Sequence, residues 1–235
     1  MSKFNLKKFL LLCLIVLISV FIWWKFSNKA VPSIWDIPAQ VKSDWTTCYQ
    51  SNIQPSMPNG LNDTMPVNIS GLNNFISSTS GFSKFHFGYD NKGITLVIEH
   101  QNNKKYIDVN TGNLIDNKSY CDSLILNYKS QILPLIKTTT SHQTQTEYIC
   151  VDNNEFKSNV IGKIDTNKTA FFELAQICNS NTNIITNPII KQFVDLVIQS
   201  CSSQMTVILN AQDSLGNSLY FDASHTYPPG SPNCQ

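Results

Sequence analysis

Residues 82–116 read FSKFHFGYDNKGITLVIEHQNNKKYIDVNTGNLID, an alternation of apolar and polar side chains that is interrupted by three turns. Alternation with period two is typical of strands that bury one face. The turns are expected at 90–93, 102–103 and 111–113, where Asp, Asn, Thr and Gly collect. This stretch therefore predicts an antiparallel meander of three or four strands.

A helix is predicted directly after the meander. Ser119 and Asp122 form a capping-box pattern, and apolar side chains then recur at helical spacing as far as Ile132. Pro134 is expected to end or kink this helix, because proline lacks an N–H and crowds the preceding turn. The polar run TTTSHQTQT, residues 138–146, is the predicted internal boundary or mobile loop.

The next segments predict two strands and a helix. The strands lie near 148–151 and 156–164, where β-branched and aromatic residues are frequent. The helix is expected from Asn167 to Cys178, where apolar side chains recur every three or four residues.

The C-terminal part predicts a further helix and a closing hairpin. Asn187 followed by Pro188 indicates a helix start, since a capping side chain precedes a proline at the first helical position. This helix is expected to reach Cys201. The segments 206–209 and 219–221 then pair as a hairpin.

These elements predict the α+β class, because strands and helices come in runs rather than in strict alternation. The expected domain covers 81–235 and contains antiparallel strands with about three helices. Before it, residues 27–80 predict a stalk rich in Pro, Asn and Ser, without a sustained period. Trp35 and Trp45, with Cys48 and Tyr49, are too apolar for a free tether, so part of this stalk is expected to dock on the domain.

Residues 9–26 predict a transmembrane signal-anchor helix. Phe9–Trp24 holds sixteen residues without a charge. Such a helix spans about 24 Å, and flanking lysine stems and aromatic rings extend it toward the ~30 Å of a hydrocarbon core. The alternative is a cleaved signal peptide, for which Ala30 is an acceptable final residue but Asn28 is a poor fit two positions earlier.

The lysines around this segment predict its orientation. Three precede the uncharged stretch Phe9–Trp24 and two follow it, so residues 1–8 are expected in the cytoplasm. The expected protein is thus a single-pass membrane protein whose domain faces the periplasm, a lumen or the surface.

The cysteines agree with that orientation. Six lie beyond the anchor: Cys48, Cys121, Cys150, Cys178, Cys201 and Cys234. An even set without CxxC or Cys/His clustering favours three disulfides over a zinc site. Cys178 and Cys201 are the favoured pair, because each ends a predicted helix on its apolar stripe. Reduced core thiols are the alternative for a domain that faces the cytosol.

Composition argues against a nucleic-acid partner. All seventeen basic residues are Lys, so the planar guanidinium that reads phosphate and guanine is missing. After Lys29 the chain holds twelve Lys and sixteen acidic residues, a net charge of −4. A mildly acidic domain attracts polyanions weakly.

Two histidines and one acidic loop are the candidates for chemistry. His86 and His100 lie in adjacent predicted strands, where they supply at most two metal ligands. Glu99 cannot act with His100 on one substrate atom, because strand neighbours point to opposite faces. Asp108–Asp116 places oxygen ligands at alternate positions like a calcium loop, but fits a strand–turn–strand better. No catalytic residue, metal ligand or cofactor is therefore predicted.

The anchor, the disulfides and the lack of a recognised catalytic motif predict a membrane-anchored binding or assembly protein of an envelope, secretion or virion-surface complex. Its expected partners are the membrane, through the N-terminal helix, and a second protein. The alternative is an anchored hydrolase, which needs a pocket where a histidine meets a carboxylate and a Ser or Thr. A small-ligand sensor could use the sheet face of Phe85 and Phe87, but core packing explains that face better.

Overall fold

The computed structural model describes residues 36–58, 63–76, 81–140 and 145–222. Within these ranges the chain is an α+β protein with two antiparallel sheets and about five helices, more than the three predicted. The predicted cytoplasmic segment 1–8 and anchor 9–26 lie outside the described residues, as do His142, His225, Cys13 and Cys234. No helix among the residues that are described is long and apolar enough to cross a membrane.

The strands are β1 (Thr64–Val67), β2 (Phe82–Asp90), β3 (Gly93–His100), β4 (Asn103–Ile107), β5 (Leu114–Asp116), β6 (Tyr148–Asp152), β7 (Ala170–Gln176), β8 (Met205–Gln212) and β9 (Ser218–Asp222). The helices are α1 (Ala39–Cys48), α2 (Ile69–Ile76), α3 (Lys118–Asn127), α4 (Leu133–Thr140), α5 (Asn153–Asn159) and α6 (Pro188–Cys201). A π-helical turn, Tyr128–Ile132, makes α3 and α4 one continuous helical segment.

The predicted meander is confirmed as β2 to β5. It belongs to a five-stranded sheet of order β5-β4-β3-β2-β6, antiparallel throughout. The first turn forms because the Asp90 carboxylate accepts a hydrogen bond from the Lys92 backbone N–H at 2.8 Å, and Gly93 follows with φ 135°. Short polar turns of this kind fix the register of the strands on either side.

Strand alternation gives this sheet two different faces. Phe85 and Phe87 are fully buried in the main core, as the sequence predicted. The opposite face carries His86, Gly88 and Val97. Helix α3 covers this face, and its Cys121 and Leu124 contact Val97. Gly88 allows this close approach, since a Cβ there would stand 3.0 Å from the Leu124 Cβ.

The second sheet has four strands in the order β1-β7-β8-β9 and corrects one prediction. The expected helix from Asn167 to Cys178 is instead the central strand β7, which pairs with β1 and β8. Six of its seven residues are buried and only Phe171 is exposed. A strand covered on both faces shows a continuous apolar run, which helical spacing also matches, so tertiary pairing decided between the two. The closing hairpin of β8 and β9 is confirmed.

The main core lies between the two sheets. Phe85 from the five-stranded sheet contacts Phe172 from the four-stranded sheet edge to face, with ring centroids 6.2 Å apart. Phe156 of α5 contacts the same Phe85 ring at 5.9 Å. Edge-to-face aromatic contacts add to the free energy gained from burial alone.

The helix after the meander starts differently from the prediction, and it does not end at Pro134. Its cap is Asn117 rather than Ser119, because the Asn117 side chain accepts a hydrogen bond from the Tyr120 N–H at 3.1 Å. The chain stays helical through Pro134 as far as Thr140. The π-helical turn Tyr128–Ile132 stands directly before the proline, where widened geometry accommodates its ring and missing donor.

Two further helices show how caps decide local structure. The strand predicted at 156–164 is wrong, because Asp152 caps α5 by accepting hydrogen bonds from the Asn154 and Glu155 N–H groups. The helix predicted at Asn187 is confirmed, with the Asn187 side chain accepting from two backbone N–H groups of the first turn.

The stalk predicted for 27–80 is more ordered than its composition suggests. Its described part contains α1, a π-helical turn at Tyr49–Ile53, β1 and α2. Trp45 and Tyr49 of this segment are fully buried. The Trp45 indole N–H also donates to the Cys178 carbonyl at 3.1 Å.

Candidate functional site

An open cleft of about 410 Å³ lies where α2 meets the β3–β4 hairpin. Its walls include Asn74, Phe75, His100, Asn103, Lys105 and Asp116. This volume falls in the range of small-ligand and side-chain pockets, roughly 300–1,000 Å³. The cleft is therefore the candidate functional site.

The hairpin tip that forms one rim has an unusual backbone. Gln101 (φ 48°) and Asn102 (φ 65°) both adopt the left-handed conformation, which the two-residue turn between β3 and β4 requires. Glycine tolerates this conformation best, and a residue with a Cβ costs about 1 kcal/mol or more there. The tip keeps a Gln side chain in the cleft wall in spite of that cost.

His100 forms the buried end of the cleft. It is only 4% exposed, and its Nδ1 lies 3.2 Å from both the Ser83 Oγ and the Asn153 Nδ2. The Ser83 hydroxyl donates to the Asn153 Oδ1 at 2.7 Å. The Asn153 amide nitrogen can only donate, so Nδ1 of His100 accepts and the ring carries its proton on Nε2.

The charges that line the cleft balance. Lys105 and Asp116 are register partners on β4 and β5, so both project from the same side of the sheet. The Lys105 ammonium stands over the Phe75 ring, 5.1 Å from its centroid. The Phe75 ring in turn meets the His100 ring edge to face at 6.3 Å. The cleft thus offers donors and acceptors without a dominant charge.

His86 lies on the other face of the sheet from His100. Its Nε2 is 2.8 Å from the Glu99 carboxylate, and its ring lies 5.4 Å from that of Tyr148. Burial lowers the pKa of His86 below its ordinary value, although the hydrogen bond to Glu99 acts in the opposite direction. The two histidines therefore cannot share a metal, and no cluster of three metal-ligating side chains occurs within the described ranges.

The segment Asp108–Asp116, which resembles a calcium loop in sequence, lies in a strand–turn–strand. The Asp108 carboxylate accepts hydrogen bonds from the Thr111 and Asn110 N–H groups, both at 2.9 Å. These bonds, that from Thr111 first, lower the pKa of Asp108. The carboxylate is thus used to close the turn between β4 and β5.

The cysteines correct the predicted pairing. Cys178 is bonded to Cys48, not to Cys201, because residue 178 follows a strand and lies beside the end of α1. Cys150 is also disulfide-bonded. Cys121, which is buried under α3, and Cys201, which is half-buried on α6, carry free thiols. The prediction of three disulfides among the six cysteines is therefore wrong, because two of the six are free.

A hydrolase needs a histidine, a carboxylate and a Ser or Thr in one pocket, and the two described histidines each lie beside only one of these partners. His86 has a carboxylate partner in Glu99, and the Nδ1 of His100 lies 3.2 Å from the Ser83 Oγ. Ser83 is fully buried and its proton goes to Asn153, so its oxygen is not presented to the cleft. Sequence reasoning missed this network, although strand alternation with the observed register places Ser83 and His100 on one face.

Comparison with known protein families, curated proteins and solved structures finds no match for this chain. Its function is therefore inferred from the sequence and from the geometry of its sites.

Proposed function

We propose that this chain is a membrane-tethered binding or assembly module, held by residues 9–26 at the oxidising side of a membrane. It would serve there as part of an envelope, secretion or virion-surface complex. The domain binds a segment of a partner protein in the cleft at His100. The membrane and this partner protein are the two things that it contacts.

The cleft at His100 carries the binding role. Its amide, imidazole, ammonium and carboxylate groups offer both donors and acceptors, which suits the alternating N–H and C=O groups of a polypeptide. The opposite charges of Lys105 and Asp116 leave no strong preference for an ionic ligand. The Asn153 amide donates to the Nδ1 of His100 and is itself held by the Ser83 hydroxyl, so the wall is organised before a partner arrives.

The disulfides support the location. Cys48 and Cys178 are bonded across most of the described chain, and Cys150 is bonded too. Disulfides of this structural kind persist in secreted, lumenal and periplasmic proteins and are rare in the cytosol. This agrees with the orientation that the lysines around residues 9–26 predict.

The test is to capture the tagged full-length chain from native membranes. A partner in fixed stoichiometry is expected, and it should be lost when Asn103→Ala and Lys105→Ala are combined in the cleft. Lys157→Ala is the matched control, since Lys157 is an exposed lysine on α5. A clean monomer without partner, or recovery from cytosol with Cys48 and Cys178 reduced, would overturn the proposal.

A further inference from the structure

His86 is the buried titratable group that the cleft does not use. Only 11% of its side chain is exposed, and its Nδ1 is buried without a hydrogen-bond partner among the described residues. Glu99 can only accept, so the Nε2 of His86 carries the proton in the neutral ring. The Nδ1 is then a buried acceptor without a donor among the described residues. Orphaned buried polar atoms are rare in folded proteins and call for an explanation.

The charges around this ring come from every element packed against it. β2 contributes Lys84, whose register partner on β3 is Glu99. Glu99 also faces Lys104 of β4. Lys104 is paired with Asp122 of α3 at 2.6 Å. A further pair, Lys129 and Glu147 at 2.7 Å, joins the π-helical turn to the start of β6, beside Tyr148.

These groups are balanced as long as His86 is neutral. The three lysines face three carboxylates, two of which are already held by Lys104 and Lys129. A second proton on His86 strengthens its pair with Glu99 but leaves the group with a net positive charge, because Lys84 and Lys104 also face that carboxylate. It also turns Nδ1 into a buried N–H donor without an acceptor, which costs the desolvation of that group.

Helix α3 packs on the same face of the sheet as His86, so it is the element that can move when the charge of His86 changes. Asp122 of α3 lies within the electrostatic reach of His86, and its neighbours Cys121 and Leu124 close the layer over Val97. At Gly88, α3 lies so close to the sheet that a Cβ there would stand 3.0 Å from the Leu124 Cβ. Movement of α3 away from the sheet would give this part of the face, and the Nδ1 of His86 with it, more contact with water.

We propose that His86 is an acid-sensitive latch, whose second protonation releases α3 from the five-stranded sheet and exposes Cys121. The sign follows from proton linkage. The folded chain resists the proton that the opened chain accepts, so the contribution of this site to stability is complete above the ordinary pKa range of histidine and is lost as the pH falls below it.

The test measures the accessibility of the Cys121 thiol in the full-length chain. Dithiodipyridine labelling is followed by mass spectrometry of the Cys121 peptide and normalised to glutathione at the same pH. The normalised rate should rise at least about tenfold between about pH 7.5 and pH 5. Cys201, the half-buried thiol on α6, is the internal control and should keep its normalised rate.

His86→Gln retains a donor toward Glu99 but cannot titrate, so it should abolish the rise. His225→Gln, which removes another titratable histidine, should retain it. A Cys121 rate that does not depend on pH, a rise that persists in His86→Gln, or a parallel rise at Cys201 would each overturn the latch. If His86→Gln does not fold, the unaltered chain decides: the His86 ring resonance and the Cys121 rate must titrate together, and midpoints more than about one pH unit apart reject the proposal.

Discussion

Cys48 and Cys178 are joined by a disulfide with 6.5 Å between their Cα atoms, although 130 residues separate them in the chain. The bond links the end of α1 to the segment after β7, next to the hydrogen bond from Trp45 to the Cys178 carbonyl. It therefore fixes the first described helix against the central strand of the four-stranded sheet.

Replacing both cysteines, Cys48→Ala with Cys178→Ala, should lower the free energy of unfolding by about 2–5 kcal/mol, because the closed loop is long. Urea denaturation monitored by tryptophan fluorescence measures the change. Cys201→Ser is the control and should cost less than about 1 kcal/mol, since its thiol is free and half-buried. An unchanged midpoint in the double variant would contradict a structural role for the bond.

Tyr49 and Tyr128 give opposite predictions for the same substitution. Each begins a π-helical turn and is fully buried. The Tyr128 hydroxyl donates to the Thr146 carbonyl at 3.1 Å, whereas the Tyr49 hydroxyl has no partner among the residues described. Tyr128→Phe should cost about 1–2 kcal/mol, while Tyr49→Phe should be neutral or stabilise by up to about 1 kcal/mol.

Thermal and urea denaturation of these two variants provide the measurement. Both lose one hydroxyl and keep the ring, so packing is matched and only hydrogen bonding differs. If Tyr49→Phe proved the more damaging of the two, an acceptor for its hydroxyl would have to exist beyond the described residues.

The sequence predicts those elements whose signal is local. The β2–β5 meander was predicted because alternation and turn residues coincide over a long stretch, and α6 because Asn187 and Pro188 form a strong start signal. In contrast, β7 was mistaken for a helix. Its apolar run carries no preference between the two structures until β1 and β8 pair with it, and these partners are distant in the chain.

The candidate site could not be predicted from the sequence either, because the residues that form it are distant in the chain. The sequence indicates His100, but the network behind it joins Ser83 of β2 to Asn153 in the first turn of α5, where the sequence predicts a strand. The free state of Cys121 and Cys201 was equally hidden, since an even number of cysteines says nothing about distances between them.

Gly112 and Gly216 separate steric from conformational cost. Both have positive φ, 73° and 89°. A Cβ at Gly112 would stand 2.9 Å from the Pro66 carbonyl carbon of β1, whereas at Gly216 the nearest atom is the flexible Lys168 ammonium at 3.6 Å. Gly112→Ala should therefore cost about 2–4 kcal/mol, and Gly216→Ala about 1 kcal/mol. Urea denaturation of the two variants measures the difference, and equal losses would mean that β1 moves freely away from the loop.

Ser83 and Asn153 should prove energetically coupled through the network behind His100. Ser83→Ala leaves the Asn153 Oδ1 without its donor, in a place where Ser83, His100 and Asn153 are all buried. Ser83→Ala and Asn153→Ala should each lower the free energy of unfolding by about 1–3 kcal/mol. The double variant should lose about 1 kcal/mol less than the sum, because the second change removes a group that the first has already left without its partner. A double-mutant cycle by urea denaturation measures this coupling.

The control cycle pairs Ser83→Ala with Thr46→Ala of α1, whose effects should add within about 0.5 kcal/mol. Additivity in the first cycle would show that the Ser83 hydroxyl is satisfied by some other group, and the wall of the cleft would then not be held from behind as the hydrogen bonds indicate.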